Sequence, residues 1–283
     1  MSVIAFAHHK GGTGKTTSCL NIAGFLQKAG KKVLVVDCDP QANATSGLGI
    51  DPTVQPKNMY DAFMSIFEGF PDVSLEDTII PTASGIDLAP SSLDLVGVEP
   101  YLYNLDDRTS ILKELIAGVR DKYDLILIDT PPSMGQFVIN GLIAADRTIV
   151  TLDSGIFALR GIEALGTIFD DIEENIGQEI VADMAILTRW GASVPQPSAI
   201  DSFAAFLKRL FGESATPAKD ELDARRLASI EEEVRKLFKE VYTVPYDRHI
   251  YEAQQQGMPI SHYAPASEAA LVYRTIAAIV ATW

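Results

Sequence analysis

The segment AHHKGGTGKTTSCLN, from Ala7 to Asn21, sets two lysines around one cluster of glycines. Lys15, followed by Thr16 and Thr17, stands where a phosphate-gripping lysine is expected, and Lys10 lies five residues earlier, before Gly11 and Gly12. An anion is cradled by backbone N–H groups that converge on it, here those of Gly11, Gly12, Thr13, Gly14, Lys15, Thr16 and Thr17, aided by the N-terminus of a following helix. Glycine permits the backbone shape and the close approach. In such a loop Lys15 neutralises charge on the β- and γ-phosphates of a nucleotide, and the Thr16 hydroxyl ligates Mg²⁺. The usual pattern has glycine five positions before Gly14; His9 stands there instead.

Two acidic stations extend this chemistry. In VVDCDPQANAT, Asp37 and Asp39 close a strand-like run, and alternation turns both carboxyls one way and Cys38 the other. Asp39 is placed to orient the water that attacks a γ-phosphate, with Asp37 supporting a metal site. Pro40 ends the strand, and QANATSG reads as a mobile loop. In YDLILIDTPPS, an apolar run ends in Asp129, a second candidate for holding Mg²⁺. His8 and His9 read as strand-end residues without chemistry, because no acid stands at metal-ligand spacing.

The elements that must position these groups follow from periodicity. Val3–Ala7, Lys32–Asp37, Asp124–Asp129, Arg147–Asp153 and Glu179–Leu187 read as strands, with Gly85–Ser91 and Val241–Asp247 as weaker ones. Most are continuously apolar, as strands covered on both faces are. Helical patterns fall between them over 16–29, 109–121, 135–145 and 159–175, and from 266 to the C-terminus. This alternation predicts an α/β fold, a doubly wound, mainly parallel sheet flanked by helices.

The chain has 283 residues, 47% of them hydrophobic, enough for a single domain spanning 1–283. The region from about 191 to 240 breaks the rhythm and reads as a helical insertion, with a charged helix over 230–240. A net charge of -15 repels nucleic acid and anionic membranes unless basic residues gather locally. They do so most between 204 and 239, where eight Lys and Arg meet seven Asp and Glu. Two cysteines without a C-x-x-C pair exclude a disulfide framework and fit a reducing cytosol. The absence of a long apolar run predicts a cytoplasmic protein.

Taken together, KGGTGKTT, DCDPQANATSGLG and DLILIDTPPS resemble the ParA family of deviant-Walker ATPases, which includes Soj and is related to MinD. The resemblance covers residues 2 to about 190 and resumes from about 241. It implies an Mg²⁺-dependent ATPase whose two copies sandwich two ATP molecules, with a signature lysine reaching the other copy's nucleotide. That lysine is Lys10, acting as an arginine finger does. The resemblance further implies a ParB-like stimulating partner and adenine contacts after the last strand, at Pro245 and Asp247. Nucleoid association through nonspecific DNA is implied as well, a mode that needs clustered cations. The candidates are Arg189, Lys208, Arg209, Arg225, Arg226, Arg235, Lys236, Lys239 and Arg248, although Glu231–Arg235 and Glu232–Lys236 also have the spacing of helical ion pairs. Where the family often carries P-R-N-x-R, this chain reads Pro245-Tyr246-Asp247-Arg248-His249. The alternative to DNA is a membrane, since Ile200, Phe203, Leu207 and Leu210 recur at helical spacing beside Lys208 and Arg209, as in the membrane helix of MinD.

Overall fold

Val3, Ile4, Ala5 and Phe6 are all fully buried, so the first strand is covered on both faces. The computed structural model describes residues 1–8, 10–132, 135–153, 158–180, 182–190 and 219–283, with backbone alone at 158–161, 189–190 and 219–227. The strands are β1 (Ser2–Ala7), β2 (Val33–Asp37), β3 (Ile80–Pro81), β4 (Asp87–Ala89), β5 (Leu125–Asp129), β6 (Arg147–Asp153), β7 (Ala182–Trp190) and β8 (Glu240–Pro245). They form one sheet in the order β3-β4-β2-β5-β1-β6-β7-β8, parallel throughout except for β3 against β4.

The helices are α1 (Lys15–Lys28), α2 (Asn43–Gly47), α3 (Met59–Met64), α4 (Leu75–Thr78), α5 (Glu99–Leu102), α6 (Ile111–Ala117), α7 (Gln136–Ala144) and α8 (Ala158–Ile176). After the insertion come α9 (Lys219–Leu237), α10 (Arg248–Gln255), α11 (Ile260–Tyr263) and α12 (Glu268–Val280). Strand alternation divides the interior into two cores. Val3, Ala5, Val36 and Ile128 pack against α6, α7 and α8, whereas Ile4, Phe6, Val35 and Leu127 pack against α1 and α12. The doubly wound, mainly parallel sheet predicted above is therefore observed.

Several boundaries differ from the sequence reading. The fifth strand begins at Ala182 rather than Glu179 and runs to Trp190, because its ladder with β6 starts at Thr148–Ala182. The charged helix extends further back, over Lys219–Leu237, and stops before Glu240, which pairs with Met184 as the first residue of β8. QANATSG is not a mobile loop: Asn43–Gly47 is helical, and Ala44, Thr45 and Gly47 are buried. Thr45 explains this, since its N–H and hydroxyl both donate to Asp37 Oδ2, at 2.8 and 2.7 Å. Residues 191–218, which hold Lys208, Arg209 and the apolar stripe from Ile200, lie outside the described residues. Among the described residues, no helix is long and apolar enough to cross a membrane.

Candidate functional site

Because β1, β2, β5 and β6 run parallel, their C-terminal ends meet at one edge of the sheet. That edge is where open α/β sheets bind ligands. It collects Asp37, Asp129 and Asp153, with Asp37 and Asp129 direct register partners.

The loop between β1 and α1 follows from its glycines. Gly12 and Gly14 have φ of 78° and 87°, a left-handed conformation that L side chains rarely adopt. At Gly14 space is also closed, since a Cβ would lie 2.8 Å from Thr188 Cγ2. The Thr188 hydroxyl donates to Thr13 O at 2.8 Å, and Thr13 Oγ1 meets Thr151 Oγ1 at 3.1 Å. These bonds tie the loop to β6 and β7. Gly14 leads directly into the 14-residue α1, whose N-terminus faces this edge.

The two lysines differ in setting. Lys15 is buried, its Nζ 3.4 Å from Lys10 O. Burial lowers its pKa, while Asp129 and then Asp39 act in the opposite direction. Lys10 keeps 39% of its side chain exposed, and its Nζ pairs with Asp153 Oδ2 at 2.8 Å. Beside it, a Cβ on Gly12 would meet nothing within 4 Å, so this side of the loop is open. His8 is buried at the strand end, its Nδ1 accepting from Lys10 N at 3.0 Å, and His9 lies outside the described residues.

The acidic groups are crowded in a dry setting. Asp129 is fully buried; Thr16 Oγ1 donates to its Oδ2 at 2.6 Å, and its Oδ1 is buried without a hydrogen-bond partner. Burial, reinforced by Asp37, pushes its pKa well above the usual carboxylate range. Asp37 is raised to about 7, chiefly by burial, against hydrogen bonds from Thr45 and Asp39 N. Asp39 accepts from Gln41 N at 2.9 Å through Oδ1 and so also shapes the turn that leads to α2. Among the described residues no cluster of three His, Cys, Asp or Glu could hold a metal alone. Mg²⁺ does not need one, because it is commonly held by one or two carboxylates together with substrate phosphates. The orphaned Asp129 Oδ1 beside the Thr16 hydroxyl fits that donor set, whereas the Asp37 oxygens are already spent on Thr45 and Asp39 N.

Past Thr17 the cleft divides. One cavity of about 370 Å³ runs along Gly12, Gly14, Thr16 and Thr17 to Asn43 and Ser46. A second, of about 450 Å³, is lined by Thr17, Pro245, Tyr246, Asp247 and Tyr251 among others. Gln254 borders both, its Nε2 donating to Thr17 Oγ1 at 3.1 Å. Pro245 and Asp247 thus stand beside the phosphate loop, but Asp247 also caps α10, accepting from His249 N at 3.0 Å and facing His249 Nδ1 at 2.7 Å.

The cationic candidates are less concentrated. Arg235 pairs with Glu231 and Lys236 with Glu232 and Glu233, as the helical spacing predicts. Arg248 stands 3.8 Å from Glu252. Arg189, Arg225 and Arg226 belong to β7 and α9, with side chains outside the described residues. The TPPS turn begins with the Thr130 hydroxyl donating to Phe6 O at 2.6 Å, and Pro132 lies beside Gly11; Ser133 lies outside the described residues. Sequence reasoning missed Asp153, Thr45, Thr188, Gln254 and the two tyrosines. Of these only Asp153 carried a signal, an acid ending a predicted strand at the ligand edge.

A glycine-bounded loop with a buried lysine, joining a central parallel strand to a helix, defines the P-loop class of nucleotide-binding proteins. A family model described as "AAA domain" matches residues 1–182. The sporulation initiation inhibitor protein Soj of Bacillus subtilis is 32% identical over 285 residues, covering 99% of this chain and 98% of that protein. The chain belongs to the ParA/Soj family, within the ParA/MinD superfamily. Among solved structures, Mycobacterium smegmatis cobyrinic acid a,c-diamide synthase, with bound ATP analog and magnesium, aligns with a TM-score of 0.70 at 25% identity over 99% of this chain and 94% of its own. Apo McdA of Cyanothece aligns with a TM-score of 0.75 at 21% identity over 100% of both chains, a likeness of fold alone.

Proposed function

We propose that this chain binds ATP with Mg²⁺, dimerises on it, and hydrolyses it to ADP and phosphate as a spatial switch in partitioning DNA or another cargo. The observation that carries this reading is the pair of lysines on one loop, Lys15 buried within the site and Lys10 exposed at its rim. A single nucleotide site needs only the first. The second suits a neighbouring copy, and Gly11 and Gly12 keep the approach clear.

Thr16 and Asp129 hold the magnesium ion, with Asp37 steadying the Asp39 turn and α2 behind them. When bound, the ion neutralises charge on the β- and γ-phosphate oxygens. Asp39 orients a water whose oxygen attacks the γ-phosphorus as the bond from that phosphorus to the β–γ bridging oxygen breaks, leaving ADP. Lys15 from within, and Lys10 from the second copy, stabilise charge on the transferring group. Loss of phosphate then releases the Asp39 and TPPS turns, and with them the dimer. A ParB-like partner that speeds turnover and a DNA surface complete the switch, with basic residues of 189–226 as its candidates.

The test is a DNA-binding titration against salt in ATP and in ADP, run beside pelleting with anionic liposomes. Binding to DNA with ATP alone, weakening steeply with salt, supports the partitioning switch. Binding to liposomes and not DNA would move the same chemistry to a membrane, and neither binding nor hydrolysis would end the proposal.

A further inference from the structure

Two large aromatic side chains stand exposed at the mouth of the second cavity, Tyr246 at 64% and Tyr251 at 65%. Exposure of that kind at a concave site marks a surface awaiting a partner. The cavity opens from Thr17, the last residue of the phosphate loop, and its inner wall is apolar, built from Val244, Pro245 and Ile250. The charged group that could read a base edge is already committed. Asp247 Oδ1 serves His249, and Oδ2 accepts from Ala269 N at 3.3 Å. The Tyr251 hydroxyl is held from outside, accepting from Gln255 Nε2 at 2.9 Å on the next turn of α10.

We infer that Tyr246 and Tyr251 hold the nucleobase by stacking, and that this chain selects purine over pyrimidine nucleotides by ring area rather than by a charged side chain. The inference rests on the nucleotide-binding reading above and adds to it the residues that grip the base. Every base has a π-face, so stacking favours the larger ring system without reading its edge. The phosphates and the base are then held by separate parts of the cleft, the loop for one and the tyrosine pair for the other.

The experiment measures binding of ATP, CTP and inorganic tripolyphosphate, each with Mg²⁺, to the full chain by calorimetry. It compares wild type, Tyr246→Ala with Tyr251→Ala, and the matching double phenylalanine variant. The double alanine variant should lose about five- to hundredfold in ATP affinity, the range of one stacked base. It should also narrow the preference for ATP over CTP. Tripolyphosphate binding should be unchanged, which also reports an intact loop, and the phenylalanine variant should match wild type. Undiminished ATP affinity in the alanine variant, an equal loss of tripolyphosphate, or a phenylalanine variant as weak as alanine would each overturn the stacking role. If the wild type bound neither ATP nor tripolyphosphate, the nucleotide reading itself would fall.

Discussion

Lys10 Nζ lies 2.8 Å from Asp153 Oδ2 of its own chain, joining the loop after β1 to the last residue of β6. The residue proposed to serve a second copy is therefore held at home in the single chain. Both groups are partly exposed, at 39% and 23%, so the pair is worth no more than about 1 kcal/mol. Such a contact is weak enough to be exchanged for a phosphate.

Lys10→Ala should leave ATP affinity within about threefold and lower turnover by about a hundredfold or more, the scale of losing one charge aimed at a transferring phosphoryl group. Steady-state hydrolysis with a parallel binding measurement checks it. Equal turnover in variant and wild type would remove Lys10 from the chemistry. Asp153→Asn, which releases the lysine, should lower the ATP concentration for half-dimerisation by up to about fivefold, the equivalent of a surface ion pair.

Asp39→Ala should accumulate an ATP-bound dimer, since water is no longer oriented while the phosphate contacts remain. Light scattering after size exclusion with ATP is the measurement. A monomer under those conditions would place Asp39 in the turn alone, where it accepts from Gln41 N.

Thr45→Val should destabilise the chain by about 1–3 kcal/mol, because it leaves buried groups unpaired. Its hydroxyl donates to Asp37 and accepts from Ser91 N at 2.9 Å. Urea unfolding reads this directly, and Thr45→Ser should recover most of the loss.

Without nucleotide, stability should fall as the solution passes from pH 5 to pH 8. Asp37 is raised from its ordinary value to about 7 by burial, and Asp129 is raised as well. A carboxyl whose folded pKa lies above its unfolded one favours the native state at low pH, and that contribution disappears as pH climbs through about 7. Thermal melting across the range is the check; a curve rising from pH 5 to pH 8 would contradict it. Mg²⁺ with ATP should flatten the decline, because a cation favours the ionised Asp129.

Gly14→Ala combines a left-handed φ of 87° with a Cβ placed 2.8 Å from Thr188 Cγ2. Strain of this kind costs about 1–3 kcal/mol and should also weaken ATP binding. Adding Thr188→Ser should relieve the contact but not the backbone, so recovery should be partial.

What the sequence determined by itself was local in origin. The apolar runs of β1, β2 and β5 announce buried parallel strands, and GKTT between strand and helix announces the phosphate loop. Short-range geometry is enough for these, because strand alternation and glycine's left-handed freedom depend on near neighbours. Other features were decided only by tertiary structure. Parallel register sets Asp37 against Asp129, and a hydroxyl eight residues away turns a polar loop into α2. Asp153 reaches Lys10 across 143 positions, and Tyr251 comes to the mouth of a cleft bordered by Thr17. Contacts of that span leave no periodicity in the chain; they exist because the sheet brings distant strand ends to one edge and buries their charges together.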